Sequence, residues 1–405
     1  MKSFLSHLNE SMVDDLLSTQ IRKAIKKAGG KIYQIGGVVR DEMIGKISKD
    51  LDIIIVGIEL DDIEKILKPH GKVNMVGKSF GILKFVPTGS TEAEDVDISV
   101  PRIDSKSTGS GHKDFEVELG KGITLQQDQL RRDFWINALA KDIDTGEIID
   151  VDGKGMKDIK NKQIRMISPT SFEDDPLRMF RAVQFASRFD FTIEKETYKE
   201  MKKRASTIST ISADRFQEEF KKLFSKSKKP SIGVKILFDS GLMKHIFKSI
   251  KLKSNDLKTI DALGKSDFAV FMGILLSDYG NKAGTTGKTV IRLSNTDAKI
   301  VQNVVDWKEG MNNVELANYA KGVDVRAIDT FLSAKGSKTL SSRLKGIKYI
   351  SVKDMPIDGR DAAKAGFKGK AIGDAMQSAL EFSIRTGKTN KDDLLKHINS
   401  KKITQ

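Results

Sequence analysis

Asp50 and Asp52 stand two residues apart at the head of an apolar run, KDLDIIIVG, residues 49–57. On an extended chain, residues i and i+2 share a face. Two carboxylates on one face repel each other unless a cation lies between them. Mg²⁺ is the natural candidate, because it prefers oxygen ligands and is commonly held by one or two carboxylates together with substrate phosphates. Metals bound in this way can activate an attacking oxygen and steady a departing pyrophosphate. Upstream, IGGVVRD (residues 35–41) offers a partner for such chemistry. Gly36 and Gly37 permit close approach of the backbone to a triphosphate at a helix N-terminus, and Arg40 would sit one turn in, facing a phosphate oxygen. Taken singly, the glycines are a tight turn and the aspartates a solvated strand start. In this order and this close together, they point to phosphoryl chemistry.

A second constellation lies in SFEDDPLRMFRAVQFASRF, residues 171–189. Pro176 suits a first helical turn. Leu177, Phe180 and Val183 form an apolar stripe, while Asp175, Arg178 and Arg181 recur every third residue and share another face. Aspartate accepts from an exocyclic amine, and arginine donates to a ring nitrogen or carbonyl. Such a row can pair with C or A, which carry an amine where U and G carry a carbonyl; each good bidentate pair discriminates by about 1–3 kcal/mol. The same spacing also builds a capped ion-pair ladder, Ser171 with Asp174 and Asp174 with Arg178.

The elements that must position these groups read as an α+β chain. Residues 1–30 form a helical lead-in. Strands are expected at 31–35, 51–57, 81–86, 96–100, 115–119 and 147–151, giving a mixed α/β head over 31–165 with 51–57 as a buried central strand. From about Pro169 the pattern turns helical, and we divide it into a neck (166–228), a body (229–340) and a tail (341–405). The segment KAGTTGKT (residues 282–289) reads as a Gly/Thr loop between helices.

Composition bounds the alternatives. The 405 residues carry 70 Lys and Arg against 55 Asp and Glu, a net charge of +15. Such a surplus of cations favours a polyanionic partner. There is no cysteine, which excludes disulfides, thiolate metal sites and cysteine nucleophiles, and only five histidines. The apolar run Phe268–Leu276 is too short for the ~20 residues that cross a bilayer. The early acids of MKSFLSHLNESMVDD argue against a secretory leader. We expect no membrane partner and a cytoplasmic location.

GGxVRD followed by DxDxxxxG resembles the signature of the class II nucleotidyltransferases, the family of tRNA CCA-adding enzymes and bacterial poly(A) polymerases. DISVPR (97–102) resembles that family's next strand, where an acid five residues before the arginine joins the metal-binding pair, here Asp97. The Gly/Ser/Lys-rich segment 104–113 resembles the family's flexible loop, which helps the site switch from CTP to ATP. DQLRRDFWINALA (128–140) resembles RRDFTINALA, with Trp135 in place of threonine. The resemblance gives Arg132 to the triphosphate and Asp133, with Asn137, to the ribose. IIDVDGKGMKDIKNKQIRMI (148–167) resembles a hinge between head and neck. The 171–189 segment resembles EDxxRxxR, the protein template for the incoming base, with Asp174 for glutamate and Gln184 for an arginine found in several relatives. Asp214, Arg215 and Glu219 match the neck motif that braces this helix.

The resemblance implies a polymerase-beta-like sheet in the head, followed by an all-helical neck, body and tail. It implies Asp50, Asp52 and Asp97 as ligands of Mg²⁺, two ions in all, and CTP and ATP as substrates. Residues 356–398 are similar to the tail that grips the tRNA acceptor stem and T-arm, with Lys364, Lys368 and Lys370 as contacts. The expected activity is addition of C, C and A to tRNA 3′ ends with release of pyrophosphate. A poly(A) polymerase, or an enzyme adding only CC or only A, stands as the alternative.

Overall fold

The computed structural model describes residues 13–14, 16–48, 51–76, 81–90, 95–104, 117–265, 267–320, 325–336 and 345–402. Asp50 and the loop segment 105–113 lie outside them. The chain divides into two compact units: Met1–Ser212 with Asp239–His245, and Ala213–Phe238 with Ile246–Gln405. The stretch read as one neck is thus split at Ser212.

In the first unit, α1 (Thr19–Lys27) leads through Gly29 (φ 91°) into β1 (Lys31–Ile35). After β1 comes α2 (Gly37–Met43), then β2 (Asp52–Val56) and α3 (Leu60–Leu67). The strands β3 (Gly71–Met75), β4 (Ile82–Pro87) and β5 (Val96–Ser99) follow. A separate two-stranded ribbon, β6 (Arg102–Asp104) with β7 (Val117–Leu119), precedes α4 (Leu125–Leu130). β8 (Ala140–Asp142) and β9 (Ile148–Ile149) complete a seven-stranded sheet in the order β3-β4-β5-β2-β1-β8-β9. β2 and β5 run parallel, and the other neighbours are antiparallel.

The apolar run at 51–57 is the central strand expected of it. In the sheet, β3 and β8 escaped the periodicity, as did β6 of the ribbon. β3 is an edge strand that alternates between half-buried and exposed residues and carries Lys72 and Asn74, while β8 is three residues long.

Alternation of side chains gives the sheet two different faces. One carries Ile32, Ile53, Ile55, Leu83, Phe85, Val96 and Ile98, packed with Ile21 and Ile25 of α1 and Ile63 and Leu67 of α3. The other carries a small cluster of Ile35, Ile54 and Ala140, with Tyr33 and Leu125 against it. Asp52, Asp97 and Lys84 fall on this second face.

Beyond the sheet, α5 (Lys154–Lys160) starts where Asp150 accepts from the backbone N–H of Gly155 and Met156 at 2.9 and 2.8 Å. The segment 171–189 is two helices, α6 (Ser171–Asp174) and α7 (Leu177–Phe189), broken at extended Asp175. Leu177, Phe180 and Val183 are buried, as the stripe requires.

The second unit is helical among the described residues. Its α8 (Ala213–Lys226) buries Phe216, Phe220, Leu223 and Phe224, and Phe224 stacks on Phe271 of α9 (Phe268–Leu275) at 4.8 Å. The expected loop at 282–289 is instead part of a helix, α10 (Ala283–Ile291), packed on α11 (Asn295–Asp306). Its glycines allow close approach: a Cβ at Gly284 would lie 2.4 Å from the Ala298 carbonyl oxygen, and one at Gly287 2.6 Å from Leu293. At the end of the chain, α12 (Gly359–Lys364), α13 (Lys370–Thr386) and α14 (Lys391–Lys402) share a core of Ala362, Met376, Leu380, Leu394 and Ile398. Lys364, Lys368 and Lys370 are exposed at its α12–α13 turn.

Candidate active site

Asp97 on β5 is the direct cross-strand partner of Asp52 on β2, and Lys84 on β4 is the partner of Asp97 on its other side. Adjacent strands lie about 4.8 Å apart, so the register sets a row of two acids and a lysine across three strands. Asp97 Oδ1 is buried and, among the described residues, has no hydrogen-bond partner. The Lys84 ammonium stands 3.7 Å from it and 2.7 Å from Asp95 Oδ2. The hydrogen bond it donates to Asp95 and the charge of Asp97 hold the lysine's pKa above its ordinary value. All-oxygen donors, one of them buried and unbonded, suit a hard divalent cation. Among the described residues no group of three or more acids or histidines gathers. Asp50, the expected companion, lies outside them.

β1 ends at Gly36, whose φ of 68° is open to glycine without penalty. A Cβ there would lie 2.8 Å from Arg132 Nη1, so the guanidinium closes over the glycine turn. Arg132 is held by Asp128 on α4, at 3.0 Å from Nη2, and Arg131 binds the other oxygen at 2.7 Å. Asp128 is fully buried. Burial alone would raise its pKa, but the two arginines outweigh that and keep it below the usual carboxylate value. The sequence reading passed over Asp128. Its i, i+3 and i, i+4 spacing to two arginines was the available signal.

Arg40 departs from its expected place. Its side chain is 5% exposed, with Nε donating to Asp41 at 2.8 Å, Nη1 donating to Asn137, and the guanidinium lying 4.6 Å from the Phe189 ring centre. Its donors are taken up inside the protein because a carboxylate and an amide oxygen lie nearer than solvent. The residue joins α2 to the segment at 137 instead of facing a phosphate.

Asp133 is likewise enclosed. Oδ1 accepts from Phe134 N and Asn137 Nδ2, both at 2.8 Å, and Oδ2 accepts from Arg181 Nε and Nη2 at 2.8 and 2.7 Å. Burial would raise its pKa, yet Arg181, the Asn137 amide and Arg178 together lower it. With four N–H groups on two oxygens, Asp133 orients Arg181 and has no lone pair left for a ribose hydroxyl in this arrangement.

Asp175, just before α7, and Arg178 and Arg181 on it are half-buried and so remain accessible from one side. Asp175 Oδ1 caps the helix by accepting from Leu177 N at 3.0 Å. Arg178 donates to Ser171 Oγ at 3.0 Å and to the Arg131 carbonyl at 2.7 Å. The capping box and the Asp174–Arg178 pair do not form; Asp174 accepts from the Thr170 hydroxyl at 3.4 Å. Arg188 reaches Asp41 at 3.4 Å. Three arginines of one helix therefore grip the Arg131–Asp133 segment and the helix after the glycine turn.

Of the three departures from the motifs, Trp135 and Gln184 are buried and Asp174 is half-buried. Trp135 lies under the Lys154 ammonium at 4.5 Å, and Gln184 is 2% exposed with its amide nitrogen unpaired among the described residues. The expected bracing acids sit in the helical unit: Asp214 pairs with Arg292 at 2.8 Å, and buried Glu219 with Lys222 at 2.9 Å. Arg215 lies on the same helix, α8.

Residues 32–165 match the poly A polymerase head domain, and residues 190–253 match the "Probable RNA and SrmB- binding site of polymerase A". Over 407 residues the chain is 30% identical to the CCA-adding enzyme of Ligilactobacillus salivarius, covering 95% of this chain and 96% of that protein. It is 32% identical over 222 residues to the multifunctional CCA protein of Xanthomonas campestris, covering 53% of this chain; it thus spans about half the length (50%) of that relative. The fold is similar to that of the Bacillus stearothermophilus CCA-adding enzyme in complex with CTP, with a TM-score of 0.75 and 20% identity, covering 97% and 98% of the two chains.

Proposed function

The chain belongs to the CCA-adding enzyme family, and from that premise we propose that it adds C, C and A to the 3′ end of tRNA from CTP and ATP, releasing pyrophosphate. The observation that carries this reading is the row of Asp52 and Asp97 in register on one sheet face, with an unbonded buried oxygen on Asp97. These two acids, with Asp50, would hold Mg²⁺. When bound, the ion supplies positive charge for the leaving pyrophosphate and eases deprotonation of the terminal hydroxyl.

The chain's own residues do the positioning. The Gly36 turn brings bare backbone up to the triphosphate, and Arg132, preset by Asp128, supplies a fork for its oxygens. Asp133 aims Arg181, and the Arg131 carbonyl aims Arg178, so the base-reading donors are ordered before a nucleotide arrives. Asp175 accepts from the exocyclic amine that C and A share. The exposed lysines of the tail, Lys364, Lys368 and Lys370, face phosphates of the acceptor stem and T-arm, a contact that reads shape more than sequence.

The test uses a tRNA lacking its last three nucleotides, Mg²⁺, and CTP and ATP singly and together. Three additions followed by a stop are expected. A long A tail would mean a poly(A) polymerase, and a halt after CC, or A alone on a CC end, a divided activity. Asp52→Ala should abolish transfer while the melting temperature holds within about 2 °C, as expected for a half-exposed strand residue. Transfer that survives in Asp52→Ala overturns the carboxylate assignment.

A further inference from the structure

Lys84 belongs to none of the sequence motifs, yet it completes the acidic row. It lies directly across from Asp97 on the same sheet face, and Asp97 lies directly across from Asp52. Its ammonium is anchored by Asp95 at 2.7 Å and leans toward Asp97 Oδ1 at 3.7 Å, beyond hydrogen-bonding distance. That oxygen is the buried, unbonded one. A lysine bonded to Asp97 would block its lone pairs; one farther away would leave the acids' repulsion unrelieved. At this separation the ammonium offsets charge and leaves the oxygen open to a ligand.

Resting on the metal-binding reading above, we propose that Lys84 is a built-in counter-ion that lowers the affinity of Asp52 and Asp97 for a divalent ion when no nucleotide is present. A unit charge about 6 Å from a divalent ion, in the bulk-like dielectric of a wet surface cleft and screened by physiological salt, changes its affinity by about three- to tenfold. The acids then tolerate one another in the empty site. The ion loads together with the triphosphate, whose charge outweighs that of the ammonium, in keeping with the preference of Mg²⁺ for sites completed by phosphates.

The test is Mn²⁺ titration of the full chain without nucleotide, read by electron paramagnetic resonance. Lys84→Met should bind Mn²⁺ about three- to tenfold more tightly than the unsubstituted chain, and Lys84→Arg, which keeps the charge, should restore the original affinity. In an Asp97→Asn background the Lys84→Met gain should vanish. Lys84→Gln retains a donor for Asp95 and serves should the methionine variant fail to fold. Unchanged or weaker Mn²⁺ binding in folded Lys84→Met or Lys84→Gln overturns the proposal and leaves the metal-binding reading standing. Absence of saturable Mn²⁺ binding in every chain, the unsubstituted one included, overturns that reading and this proposal with it.

Discussion

Replacing Asp133 by Asn tests whether this residue is the joint between the head and α7, the helix proposed to read the base. The carboxylate is 6% exposed and receives four N–H groups, two of them from Arg181. Asparagine keeps one acceptor, turns its NH₂ toward donors, and leaves Arg181 without its counter-charge. Breaking a fully buried ion pair costs about 3–5 kcal/mol. The Arg181 side chain is 33% exposed and can recover some hydration, so about 2–3 kcal/mol is expected here. Trp135 is buried in the same unit and reports the loss by fluorescence during urea unfolding, with Trp307→Phe as the background. Because the fold lowers the pKa of Asp133, its stabilisation is present above the unfolded value of about 3.9 and disappears as pH falls through the lower folded value. The gap between the two proteins should therefore stay constant from pH 7 to 5 and close in stronger acid. A loss under about 0.5 kcal/mol, the scale of an ordinary surface substitution, or a gap that widens on acidification, would refute the reasoning. Selection of C and A should relax in the same variant, measured as misincorporation of UTP, because Arg181 is no longer aimed.

Gly36→Ala places a Cβ where only glycine is at ease and pushes Arg132 away. About 1–3 kcal/mol of stability should be lost, and KM for nucleotide should rise more than kcat falls. Gly284→Ala drives a methyl to 2.4 Å from the Ala298 carbonyl and should destabilise the helical unit by about 1–3 kcal/mol, seen as an earlier Trp307 transition while Trp135 is unaffected.

Much of the site was written in local spacing. The glycine turn at 36–37 and the one-turn spacing of Arg178 and Arg181 each follow from the geometry of one turn or helix, while Asp175 falls in the break before that helix and Asp50 lies outside the described residues. Motif resemblance added Asp97, Arg132 and Asp133. The 282–289 segment misled because glycine and threonine signal loops by default, while here the glycines serve contact with Ala298 and Leu293, residues distant enough to leave no local trace. β3 was missed because an edge strand need not bury a face.

What the chain alone determined is which groups are available and which element carries each, since periodicity acts over a few residues. Only the assembled fold decided how those groups spend their bonds. Arg40 turned inward to Asp41 and Asn137, Asp133 gave its oxygens to Arg181, and Lys84 came to rest beside Asp97 because of strand register. Each outcome depends on which partner stands nearest once segments far apart in sequence are packed together. A buried charge takes the nearest opposite charge or amide, whatever its distance along the chain.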